Sequence, residues 1–276
     1  MSSNDLTSKE EVASLLHAAD VHPSKRLGQN FLVDRAILDA IIIEVERATP
    51  REILEIGAGL GTVTQELAGF ADRIIAIEVD RRLAKILEQT VGEMENVEVV
   101  REDILAYDLR HASKSGPIFV VGNIPYRITA PILKHLVENR ESICGALLLT
   151  QREVAEKIAA SPGRNGSALG VFLQAYADIH VIRRVSKASF YPVPEVDSTL
   201  WSLSFLRQPR FTADKEKFFT VVRALYGKRR KMIRSALRDL LVVEQVAEIL
   251  GTAGIDPTVR GETLSLEEID RIARLV

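Results

Sequence analysis

Glu55-Ile56-Gly57-Ala58-Gly59-Leu60-Gly61 is the stretch from which the fold can be read. It follows the β-branched apolar run at 53–56 and precedes a helical pattern over 62–67, so its glycines stand where a buried strand must turn into a helix. Glycine permits that turn because it accepts positive φ and leaves room for a ligand to approach the backbone. The spacing is Gly-x-Gly-x-Gly, rather than the Gly-x-Gly-x-x-Gly of a dinucleotide pyrophosphate turn.

Outward from this turn, short apolar runs at 74–77, 97–100, 118–121 and 146–149 alternate with helical patterns at 82–90, 130–137 and 152–159. Such alternation implies an α/β fold with a doubly wound, mostly parallel sheet. Two further strands, at 180–185 and 199–206, lack a long helix between them and are expected to close the sheet edge as an antiparallel pair. From 210 onward the pattern is helical, at 215–226, 228–240, 243–250 and 265–275, with Gly251, Gly254 and Gly261 marking turns. The expected division is a ligand-binding domain over 1–209, whose first 22 residues form a helical or flexible extension, and a small all-helical domain over 210–276.

The 276 residues are 46% hydrophobic and 27% charged, which suffices for one large core and a smaller one. The single cysteine, Cys144, precedes the apolar run 145–149 and reads as a buried strand residue of a reducing compartment. The N-terminus carries neither a signal peptide nor an organelle-targeting pattern, and no apolar run approaches membrane-spanning length, so a cytoplasmic protein without a membrane partner is expected. Five scattered histidines show no ligand spacing, and no metal is expected. Net charge is −2, yet residues 207–238 hold eleven Lys or Arg against two acids. That surplus on an otherwise acidic body suits a surface that holds a polyanion.

Three acids frame the candidate ligand site. Glu55 opens the glycine motif, and Glu78 ends the second strand about twenty residues past the first glycine, where it can accept from both hydroxyls of a ribose. Asp103 follows the third strand and could accept from an adenine amine. The reaction residues follow the fourth strand as Asn123-Ile124-Pro125-Tyr126. The N6 amine of adenine is a poor nucleophile because its lone pair is delocalised into the ring. Two acceptors, the Asn123 side-chain oxygen and the Ile124 carbonyl, would draw that nitrogen toward tetrahedral geometry and aim its lone pair at a methyl sulfonium. Tyr126 would stack on the base, and Pro125 stiffens the turn. Catalysis is then positioning and electrostatics, without a metal or a covalent intermediate.

The Asn-Ile-Pro-Tyr motif resembles that of N6-adenine methyltransferases, and other segments narrow the likeness to the small-subunit rRNA adenine N6,N6-dimethyltransferases of KsgA type. These are Lys25-Arg26-Leu27-Gly28-Gln29-Asn30-Phe31-Leu32, Phe190-Tyr191-Pro192-Val193-Pro194 with Val196-Asp197-Ser198, and Tyr226-Gly227-Lys228-Arg229-Arg230-Lys231. The likeness covers the chain from about Pro23 to its end. It implies a Rossmann-like class I methyltransferase sheet with S-adenosyl-L-methionine as cofactor, held by Gln29, Asn30, Leu32, Glu55, Gly57, Gly59, Gly61, Glu78, Asp103 and Asn123. It further implies that Phe190 faces Tyr126 across a flipped adenine, stacking being worth about 1–3 kcal/mol per base. The implied product is N6,N6-dimethyladenosine at two adjacent adenosines in the terminal hairpin loop of small-subunit rRNA, and the implied partner is that subunit or its precursor.

A helix over 228–240 would gather Lys228, Lys231, Arg234 and Arg238 on one stripe, beside Arg229 and Arg230, with Met232, Ile233, Ala236 and Leu237 opposite. This stripe is the expected RNA contact of a protein expected to be a monomer. Glu195 departs from the family's usual lysine, and residues 166–170 lack its usual arginine. The alternatives are a large-subunit rRNA methyltransferase of the antibiotic-resistance type, a DNA adenine methyltransferase, a NAD-dependent dehydrogenase, and an assembly factor for which methylation is a release step.

Overall fold

The computed structural model describes residues 5–24, 26–112, 114–161, 166–228 and 231–276, without the side chain of Tyr126. In chain order the elements are α1 (Lys9–Ala18), β1 (Phe31–Leu32), α2 (Arg35–Ala48), β2 (Glu52–Ile56), α3 (Thr62–Leu67), β3 (Arg73–Ile77), α4 (Arg81–Val91) and β4 (Val97–Val100). There follow β5 (Ile118–Asn123), α5 (Thr129–Glu138), β6 (Ile143–Gln151), α6 (Arg152–Ala159), α7 (Ala168–Gln174), β7 (Ala177–Val185), β8 (Phe190–Tyr191) and β9 (Ser198–Phe205). The last four are α8 (Lys215–Gly227), α9 (Ile233–Ala236), α10 (Val243–Ala253) and α11 (Leu266–Ala273).

The main sheet has the order β4-β3-β2-β5-β6-β9-β7. Strands β2 to β6 pair in parallel, and β9 runs antiparallel to β6. β2 is buried along its whole length and β5 nearly so, as a strand covered on both faces must be. After β4 the chain crosses to the other side of β2, so the switch point lies between β2 and β5. The crevice past the carboxyl ends of those strands is where open α/β sheets bind ligands.

The glycine turn carries out the sequence reading. Gly57, Gly59 and Gly61 have φ of +70°, +61° and +91°. At Gly61 a Cβ would also sit 3.0 Å from Leu87 and 3.2 Å from Thr90, so this position lets α3 lie close to α4. α2 and α7 are elements that the sequence reading did not place. α2 is amphipathic, with Ile37, Leu38, Ile41 and Val45 buried, and Asp34 caps it.

The chain forms two compact units, Met1–Arg152 with His180–Phe205, and Glu153–Ile179 with Leu206–Val276. The second unit takes in α7 and the start of β7, which the expected boundary at 209/210 leaves with the sheet. Its core explains the difference. Phe172 and Tyr176 ring-pack with Phe211 and Phe219, and Phe211 stacks on Phe218 with centroids 4.4 Å apart. Asp270 of α11 accepts from the Thr212 and Ala213 amides, each at 2.8 Å, tying α11 to the entry of α8.

Two expectations are corrected here. Cys144 is exposed, not buried, because β6 is bulged there. Ile118 pairs with Ile143 and Phe119 with Gly145, which leaves Cys144 as the extra residue. The continuous helix over 228–240 is absent as well. α8 ends at Gly227, Met232 is extended and bridges Arg260, and only Ile233–Ala236 is α-helical before a short 3₁₀ turn to Asp239. Ile233, Ala236 and Leu237 are buried as expected, but Met232 is exposed.

Among the described residues no helix is long and apolar enough to cross a membrane.

Candidate active site

The carboxyl ends of β2, β3 and β5 deliver Glu55, Glu78 and Asn123 to one cleft. Ile56 pairs with Gly122, so Gly57 and Asn123 leave the sheet side by side. The cleft encloses about 930 Å³, part of it open to solvent, and lies wholly within the sheet-bearing unit. Its lining includes Gln29, Asn30, Leu32, Gly57, Gly59 and Pro125 beside the three polar residues.

The turn's own hydrogen bonds restrict what can bind. Gly57 and Ala58 N–H donate to Ile77 O at 2.8 and 3.1 Å, and Gly61 N–H donates to Ala58 O at 2.9 Å. Gly59 N–H donates to Glu78 Oε2 at 2.9 Å. A pyrophosphate turn needs such donors free. Here these four are spent internally and two buried carboxyls flank them, so the turn has no free N–H cradle to offer a phosphate.

Both carboxyls are perturbed. Burial pushes the Glu55 carboxyl up to about 8, against the Thr64 hydroxyl that donates to Oε2 at 2.6 Å and together with the nearby Glu78 charge. Burial raises Glu78 too, opposed by the amides of Asp80, at 2.8 Å to Oε1, and Gly59. For Asp80 burial acts upward, but the bonds from Arg82 and Gln29 win and hold it at about 2.

The loop over residues 26–32 covers the cleft. Gln29 is committed to tethering it: its Oε1 accepts from Ser24 N at 2.7 Å and its Nε2 donates to Asp80 Oδ2 at 3.1 Å. Asn30 donates its side-chain amide to Gly28 O, and its backbone carbonyl accepts from Asn123 Nδ2 at 2.9 Å. This last bond fixes the catalytic candidate. Because a carbonyl can only accept, the Asn123 NH₂ must face Asn30, which leaves Oδ1 on the other arm of the amide as an acceptor. Next to it, Ile124 N–H donates to Leu149 O at 2.9 Å and Pro125 O accepts from Ile128 N–H, so the turn is held from both sides.

Other expected residues lie elsewhere. Gly61 caps α3 and packs on α4 without lining the cleft. Asp103 is exposed, away from the lining, and its Oδ1 accepts from Leu105 N–H in a local turn. Phe190 is 1% exposed within an apolar cluster that includes Leu32, Val121, Leu149 and Leu200, so the expected open stacking face is corrected to a packed one. Pairing explains this: Leu32 faces Phe190 and Phe31 faces Tyr191 across the short β1–β8 ladder, which pulls residues 190–191 into the core. The side chain of Tyr126 and the residues Lys25, Arg229 and Arg230 lie outside the described set. Lys228, Lys231, Arg234 and Arg238 are exposed, and Lys228 Nζ pairs with Asp239 Oδ1 at 2.6 Å.

Sequence reasoning missed Thr64, Asp80 and the tether through Gln29. A buried strand carboxyl requires a donor, and Thr64 was the first hydroxyl on the following helix to face it. No sequence signal pairs Gln29 with Asp80, fifty-one residues away.

Comparison with known proteins bears on this geometry. Residues 22–276 match the model of a family described as ribosomal RNA adenine dimethylase. The chain is 37% identical over 261 residues to the ribosomal RNA small subunit methyltransferase A of Clostridioides difficile (strain 630), covering 92% of this chain and 90% of that one. It is 41% identical over 273 residues to the protein of the same name from Moorella thermoacetica, covering 95% of each. Among solved structures it is similar to the 23S rRNA methyltransferase ErmE, with TM-score 0.71 and 30% identity over 89% of this chain and 99% of that one. A dimethyladenosine transferase from Plasmodium falciparum, 22% identical with TM-score 0.75 over 87% of this chain and 95% of that one, shares the fold.

Proposed function

Since the chain belongs to the ribosomal RNA adenine dimethylase family, we propose that it transfers methyl groups to the N6 amine of adenosines in small-subunit rRNA. The full reading is two methyls at each of two adjacent adenosines in the 3′-terminal hairpin loop, with S-adenosyl-L-methionine as donor, contributing to ribosome biogenesis. The carrying observation is the Asn123 side chain in the cleft lining, its NH₂ held by the Asn30 carbonyl so that its oxygen is left to accept.

The residues present fit such a cofactor. Glu78 would accept from the ribose hydroxyls, and the loop over residues 29–32 with Glu55 would hold the methionine end. Asp103, which is exposed and not among the lining residues, would accept from the adenine amine. When bound, the cofactor supplies an electrophilic methyl on a sulfonium. Asn123 Oδ1 and the Ile124 carbonyl accept the two amine hydrogens, which localises the nitrogen lone pair and aims it into the cleft. Tyr126 stacks on the base, and Phe190, packed in the apolar cluster with Leu32 and Val121, supports the cleft wall from within the β1–β8 ladder. The N6 proton leaves to solvent after transfer, so no dedicated base is needed. Rate enhancement then comes from orientation and fixed dipoles.

Lys228, Lys231, Arg234 and Arg238, with Arg229 and Arg230, are the proposed phosphate contacts; Lys228, Lys231, Arg234 and Arg238 are exposed. The likeness to ErmE supports a second reading, in which the substrate is large-subunit rRNA. The assay separates the two: labelled S-adenosylmethionine is incubated with small subunits lacking the modification, with large subunits and with duplex DNA, and the nucleosides are then chromatographed. Dimethyladenosine in the small-subunit sample alone is the expected result. Label in the large subunit moves the substrate assignment, and label in no sample overturns the methylation reading.

A further inference from the structure

Asp34 makes more bonds than a helix cap requires. Its Oδ1 accepts from the Ala36 and Ile37 amides at 3.1 and 3.3 Å, which by itself satisfies the start of α2. Its Oδ2 accepts from the Ser189 hydroxyl at 2.6 Å, 155 residues away in sequence. Beside it, Val33 N–H donates to Ser189 O at 2.8 Å, and the ladder continues through Leu32 with Phe190 and Phe31 with Tyr191. Ser189 is 6% exposed and Asp34 is half-buried, so a charge-assisted bond holds this junction at the edge of the core.

The two segments joined there reach the same cleft through different residues. Residues 29–32 line the cofactor cleft and supply the carbonyl that orients Asn123. Residues 189–191 carry Phe190, which packs with Leu32, Val121 and Leu149, three residues that also line the cleft.

We propose that Asp34 and Ser189 form a positioning pair for methyl transfer, which fixes the segment behind the target base in register with the segment that covers the cofactor and orients Asn123. Asp34 touches no reactant in this scheme. Its carboxylate sets where Phe190 stands relative to Asn123, a role that rests on the proposed methyltransferase reading.

The test uses the full chain with Ser189→Ala and Asp34→Ser, the latter keeping a good helix cap but lacking a second oxygen. Ser189→Thr keeps the hydroxyl as the conservative control. Loss of one hydrogen bond to a charged group should lower kcat on subunits by about tenfold, with cofactor Kd within twofold of wild type and the double variant no worse than either single one. Ser189→Thr should recover most of the rate. A purely structural bond would instead lower Tm while leaving kcat unchanged well below the transition, and that outcome overturns the proposal, as does an equal loss in cofactor affinity. Amide exchange of Val33 in the same variants needs no activity. Faster exchange supports the clamp and unchanged exchange overturns it, even should the wild-type chain methylate no RNA tested, a result that would fault the methyltransferase reading alone.

Discussion

The glycine turn and the basic stretch at 228–238 were equally conspicuous in the sequence, yet only the first adopts the structure its pattern implies. The turn's three glycines take positive φ, the strand before it ends where expected and begins one residue earlier, and the helix after it spans the expected residues. The basic stretch has a helix-compatible pattern but is broken, because its backbone finds partners outside itself. Ile233 N–H donates to Val259 O at 2.7 Å, and Met232 pairs with Arg260. A turn that depends on glycine leaves the chain few alternatives. A short helix of middling propensity gains only tenths of a kcal/mol per residue, which two or three tertiary bonds outweigh.

The contrast can be tested at both regions. The largest effect belongs to the cleft: Asn123→Ala should reduce kcat by roughly a hundred- to thousand-fold, as removal of a preorganised polar group does elsewhere, with the folded state unchanged by circular dichroism. Single-turnover methylation is the measurement, and a loss below tenfold would place the key acceptor on another residue. Next, Gly61→Ala forces a side chain into φ of +91° with Leu87 3.0 Å away, and should cost about 2 kcal/mol of stability in urea unfolding. An unaffected midpoint would mean that the turn tolerates side chains and is not what decides the fold.

Glu55 gives a pH-dependent effect. With its folded pKa raised from 4.5 to about 8, the unfolded chain loses that proton between those values while the folded chain keeps it. Its contribution to stability is therefore complete below about pH 4.5 and lost as pH rises toward 8, with a slope of about 1.4 kcal/mol per pH unit. Glu55→Gln should flatten unfolding curves over that window, and an unchanged pH profile would show the carboxyl to be ionised in the fold. The smallest effect is expected in the basic stretch. Arg234→Ala should weaken RNA binding less than tenfold at physiological salt and reduce the slope of log K against log salt by about 0.7–0.9. A specific loss at one RNA sequence, with the slope intact, would mark Arg234 as a base reader instead.

The sequence by itself determined the α/β alternation, the glycine turn, the acids at strand ends and the Asn123 motif. Each is written in local pattern: strand period, turn chemistry and the order of motifs along the chain. Only the tertiary structure decided that Phe190 is packed, that Asp103 stands outside the cleft lining, that Cys144 is exposed on a bulge, and that the basic segment breaks. Each of these depends on partners far along the chain, such as Leu32 for Phe190, Phe119 for the bulge at Cys144 and Val259 for Ile233. The same holds for the links from Asn123 to Asn30 and from Asp34 to Ser189, 93 and 155 residues apart. Hydrogen-bond partners at such separations are chosen by the packing of the sheet and its covering segments, and residue type alone cannot express that choice.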